Sequence, residues 1–166
     1  MAALTKLEAK LGEVTGLAMA AQAATQKVIG LAKDEDESEL VSELERMHEQ
    51  AAETEERCTD LAGTLEGKKT AILEEARATK AKGAEMMSTY LDADADALDG
   101  FEFLTMAEAG EVGHWSVLKT LNKTAGNQEI DALVEWALPI QQRHLEGVMK
   151  GSLQLASQED PSEPAR

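Results

Sequence analysis

The chain has 166 residues, enough for one ordinary domain with a substantial core, and nothing in its length requires a second. Aromatic residues make up 3%, and there are only three prolines, Pro139, Pro161 and Pro164, so helix formers dominate and a sheet is excluded on composition. Acidic residues outnumber basic ones 32 to 16, for a net charge of −16; such a surface repels phosphate backbones and anionic headgroups, which argues against nucleic acid and membrane partners.

The segment Met1 to Glu8 carries charges every few residues, unlike a secretory leader, and no apolar run approaches the ~20 residues of a membrane span. A soluble, cytoplasmic protein is expected. Residues 4–33 place Leu7, Leu11, Val14, Ala18, Ala21, Val28 and Ala32 at the spacing of one helical face, with Gly12, Gly16 and Gly30 as local weak points. Asp34 to Ser38 breaks the pattern and offers negative charge to the next helix, whose apolar positions are Leu40, Leu44, Met47, Ala51, Cys58, Leu61 and Leu65. The single cysteine, Cys58, forms no internal disulfide and is expected to be a small, half-buried packing residue.

After Gly67, residues 68–91 read as a connecting helix or a broken pair of helices, through Ile72, Leu73, Ala76, Met86, Met87 and Tyr90. The alternating acids Asp92, Asp94 and Asp96 invite a calcium reading, but the sixth and twelfth positions, which require Gly and Glu, are Ala97 and Phe103. An acidic turn capping the next helix is expected instead. That helix, 97–122, carries Leu98, Phe101, Leu104, Ala109, Val112, Val117 and Leu121 and ends before Thr124 to Asn127. The last helix runs from about 128 to 155 through Ile130, Leu133, Ala137, Ile140, Leu145, Val148 and Leu153. Pro139 inside it must free the carbonyl of Glu135 and bend the chain. The polar tail 157–166 is expected to be disordered, leaving one helical domain over 1–156.

The three histidines each fall near the middle of a predicted helix. Two follow a glutamate at i,i+3, in Glu45-Arg46-Met47-His48 and Glu111-Val112-Gly113-His114, while the third stands in Gln141-Gln142-Arg143-His144. Carboxylates and imidazoles projecting inward from facing helices are how bundle cores hold iron or manganese. The candidate metal ligands are therefore Glu45, His48, Glu111, His114, Gln141 and His144. No catalytic or organic-cofactor residues stand out.

The stretches Leu44 to Arg57 and Ala107 to Trp115 resemble the ferritin-like superfamily, and within it the small bacterial stress-associated proteins typified by YciE and YciF, over roughly residues 10–156. The resemblance implies an all-α, ferritin-like four-helix bundle with an additional connecting helix or helix pair, a homodimer, and a site for iron, manganese or zinc. Gln22 or Ala21 stands where helix one should supply Glu, Gly113 where the close family tends to have Glu, and Gln141 replaces an acid in the last helix. These departures point to a bundle protein of stress or accessory role with a reduced or degenerate metal site. The alternatives are a dimeric, non-catalytic helical scaffold without metal and, less favoured, a di-iron oxidase or peroxidase.

Overall fold

The structure, a computed structural model, describes residues 3–164. Five helices occur in chain order: α1 Lys6–Asp34, α2 Ser38–Thr64, α3 Lys69–Tyr90, α4 Ala97–Ala125 and α5 Gln128–Ala156. The chain is all-α, and there is no strand among the described residues. No helix is long and apolar enough to cross a membrane.

Local chemistry sets most helix ends. Thr5 and Glu8 form a reciprocal capping box at the start of α1, and Asp96 with Asp99 forms another at the start of α4, each satisfying backbone N–H groups that the first turn leaves free. Asn127 accepts from the N–H groups of Glu129 and Ile130 to open α5. Gly126 closes α4 at φ 68°, a left-handed conformation that suits glycine. The acidic loop after α1 behaves differently from expectation: Glu37 makes no side-chain cap for α2, whereas Glu35 accepts from the N–H of Ala97 at 2.9 Å and so helps to start α4. The alternating aspartates also serve as a turn, with Asp92 accepting from the N–H of Asp94.

Helices α1, α2, α5 and α4 form a closed ring in which each packs against its two neighbours and not across the diagonal. Cross-contacts such as Thr64 with Glu129 and Gln50 with His144 fix α2 and α5 as antiparallel. The fifth helix, α3, is one unbroken helix rather than a pair, and it lies outside the ring, mainly along α1. Gly12, Gly16 and Gly83 allow that approach. A Cβ on Gly16 would stand 2.3 Å from the carbonyl oxygen of Ala76, and one on Gly83 would stand 2.7 Å from the Cβ of Ala20. Gly12 and Gly16 are thus contact points for α3 rather than weak points of α1. Helix α5 runs through Pro139 without interruption.

Two apolar clusters fill the ring. One, at the α1–α2 turn end, gathers residues such as Val28, Leu44, Met47, Phe101, Leu104 and Val148. The other gathers Leu11, Val14, Cys58, Trp115, Leu118 and Ala137 at the opposite end. Cys58 is fully buried, not half-buried, and burial pushes its thiol up to about 12. Beyond α5, residues 157–164 are exposed and include a turn in which Asp160 accepts from Ser162; the last two positions of the expected disordered tail lie outside the described residues.

The glycine contacts yield a stability test. Gly16→Ala must push α3 off α1 through a backbone carbonyl, and is expected to cost about 1–3 kcal/mol. Gly113→Ala, on an exposed face with nothing within 4 Å of the added methyl, should instead gain up to about 1 kcal/mol of helix propensity. Urea midpoints of the two variants, moving in opposite directions, would check the packing of α3.

Candidate functional site

Between the two apolar clusters the interior faces of α4 and α5 change character. On α4 the buried stripe reads Phe101, Leu104, Glu108, Glu111, Trp115, Leu118, and on α5 it reads Ala137, Gln141, His144, Val148. The spacing of three and four is unbroken, so Glu108, Glu111, Gln141 and His144 are carried into the core by the same periodicity that buries their apolar neighbours. All four are at least 96% buried: Glu108 is 1% exposed, Glu111 3%, Gln141 1% and His144 4%.

The four side chains converge. With its amide turned so that Nε2 faces the acids, Gln141 donates to Glu108 Oε2 at 3.0 Å and to Glu111 Oε2 at 3.2 Å, bridging the carboxyls. In the opposite amide orientation three oxygens would face one another, which only a proton or a cation among them would stabilise. His144 donates from Nε2 to Gln50 Oε1 at 2.7 Å, across to α2. Because that oxygen only accepts, Nε2 carries the hydrogen and Nδ1 presents its lone pair, 3.6 Å from Glu108 Oε2.

No lysine or arginine pairs with either carboxyl among the described residues. Burial alone pushes Glu108 up to about 8, and burial followed by the charge of Glu108 pushes Glu111 well above the ordinary carboxylate range. His144 is lowered to about 4, chiefly by burial, with Glu43 opposing and Arg143 and Arg46 reinforcing the shift. At neutral pH the contact of His144 with Glu108 therefore joins a neutral imidazole to a protonated acid, not two ions.

The residues singled out from sequence divide accordingly. Glu111, Gln141 and His144 belong to the central cluster. Glu45 is on the surface, 3.5 Å from Lys33. His48 is half-buried at the α1–α2 seam, where Nδ1 donates to the carbonyl of Gln22 at 3.0 Å and lies 3.2 Å from Thr25 Oγ1. His114 sits at the α1–α4 seam, 3.0 Å from Glu13 Oε2 and 3.3 Å from Lys10 Nζ, with its side chain 41% exposed. The three histidines thus occupy three separate places.

Glu108 and Gln50 belong to the cluster and are absent from the sequence-derived set. The pattern expected for α4 is also rotated: Ala109 and Val117, placed on its apolar face, are exposed, and Glu108, Glu111, Trp115 and Leu118 hold the interior. The detectable signal is Glu108-x-x-Glu111 on the stripe through Leu104, Trp115 and Leu118. Among the described residues no group of three or more His, Cys, Asp or Glu is placed so that it could hold a metal ion; the Gln141 amide stands between the acids. No family, curated protein or solved structure matches the chain.

The elevated carboxyls make stability depend on pH. The folded metal-free chain retains protons that the unfolded chain releases between 4.5 and about 8, so this stabilisation is complete below 4.5 and is lost as pH rises through 8. His144 acts oppositely, contributing above 6.5 and losing its contribution as pH falls through about 4. Between pH 6.5 and 9 the carboxyls dominate, and the thermal midpoint in chelator should fall by several degrees. Glu108→Gln with Glu111→Gln should flatten that slope; a wild-type midpoint that rises over this interval would contradict the protonated state.

Proposed function

We propose that this chain is a ferritin-like bundle protein of accessory or stress-related role, with a reduced metal site that takes one divalent cation. The observation that carries this reading is the convergence of two buried carboxyls and an imidazole lone pair with no lysine or arginine partner among the described residues. A cation displacing the carboxyl protons would supply the missing positive charge. Glu108, Glu111 and His144 would be its ligands, with Gln141 turned to offer its oxygen. One nitrogen and three oxygens suit manganese, iron or zinc. The hydrogen bond from His144 Nε2 to Gln50 fits the same purpose, since such an outer contact sets which imidazole nitrogen is free to bind.

The donor set does not fit two cations. Two carboxylates leave a pair of divalent ions with excess positive charge, and α1 contributes Gln22, occupied with Glu55, rather than a carboxylate. A di-iron oxidase or peroxidase is accordingly not proposed. The homodimer implied by the family resemblance, and the cytoplasmic setting expected from the charged N-terminal segment, go with this reading.

A metal-free, dimeric scaffold is the second reading, favoured by the Gln141 amide, whose two donated bonds already satisfy one oxygen of each acid. The two separate cleanly in experiment. Protein purified without tag or chelator is expected to carry or take up one Mn(II), Fe(II) or Zn(II) per chain by elemental analysis. Metal at a hundred times its Kd should stabilise the fold by about 2.7 kcal/mol, and Glu111→Gln and His144→Gln should each remove the effect. No bound metal and an unmoved midpoint would favour the scaffold.

A further inference from the structure

The same acid pair has a second approach. Because α3 follows the glycine groove of α1 and barely touches α4, a gap remains among these three helices, forming a cavity of about 220 Å³ open to solvent on one side. Its walls are almost wholly apolar, from Ala20, Ala21, Ala24, Met86, Phe103 and Ala107, and Glu108 and Glu111 also line it. Met86 and Met106, at 45% and 38% exposure, flank it with adaptable thioether side chains.

We propose that this cavity binds a short-chain aliphatic ammonium ion, its alkyl chain along the alanine and phenylalanine walls and its ammonium against the carboxylates of Glu108 and Glu111. Size, shape and charge support this occupant together. A closed apolar cavity of roughly 150 Å³ accepts benzene, so 220 Å³ accommodates a chain of about eight heavy atoms, the more so because one side is open. Among the described residues the two acids have no lysine or arginine as partner, and both are among the residues that line the cavity, as is His114. An ammonium supplies three donors and a positive charge where two acids face no cationic side chain among the described residues. The overall charge of −16 draws a cationic amphiphile towards the protein and disfavours an anionic one. The inference uses the carboxylates assigned above to a metal but needs no metal.

Octylammonium, octan-1-ol and octanoate, titrated calorimetrically below their micelle concentrations into metal-free protein at pH 7.5 (about one unit above the ordinary imidazole pKa), test it independently of the metal reading. Octylammonium is expected to bind once per chain, at least about tenfold tighter than the other two, a difference of about 1.4 kcal/mol. Glu108→Gln with Glu111→Gln should reduce octylammonium to the affinity of octanol and leave octanol unchanged. Ala107→Trp should abolish binding of both, with Gly110→Leu, at a lining position where an added Cβ meets nothing within 4 Å, as a second obstruction should the tryptophan variant not fold. Octanoate binding as tightly as octylammonium, an octylammonium affinity indifferent to the glutamine pair, binding that survives the obstruction, or no saturable binding at all would each overturn the proposal.

Discussion

Two glutamates lie at the centre of the bundle with no lysine or arginine among the described residues to neutralise them, and much else follows from the cost of placing them there. Taking a carboxylate out of water is expensive enough that the group gives up its charge rather than remain ionised alone. Glu108 and Glu111 respond by retaining protons, and their neighbours are of the kinds that suit neutral acids: an amide that donates to both, and an imidazole kept neutral by its own burial. The layer they form separates two apolar clusters, each continuous across all four ring helices. It also makes the interior receptive to positive charge, whether a metal ion or an organic cation.

The outer helix decides how that layer can be reached. Gly12 and Gly16 let α3 sit close on α1, and close packing there leaves α3 too far from α4 to seal the ring's flank. Small side chains on both sides of the gap keep it open, and Glu108 and Glu111 are among the residues that line it. The tight helix pair and the open cavity thus have one geometric origin.

The histidines show how little residue type says about position. An imidazole bonds equally well to a helix carbonyl, a surface carboxylate or a buried amide, and His48, His114 and His144 do each of these in turn. Only His144 continues the interior stripe of its helix. His114 lies one residue before buried Trp115, a rotation of about 100° on a helix, and that places it at the seam.

Composition and apolar periodicity by themselves determined the helical class, the approximate limits of the four ring helices, and the interior faces of α1 and α2, because these are local consequences of backbone propensity and of the 3.6-residue repeat. Three members of the central cluster, Glu111, Gln141 and His144, were legible as polar groups near mid-helix. Glu108 was hidden because an acid does not count as apolar, and without it the stripe of α4 reads one face round. Gln50 and the cavity were hidden for a different reason. Which helix faces which, how closely α3 approaches α1, and which polar groups meet in the middle depend on the ring order of α1, α2, α5 and α4. That order is a property of packing among distant segments, and only the tertiary structure decided it.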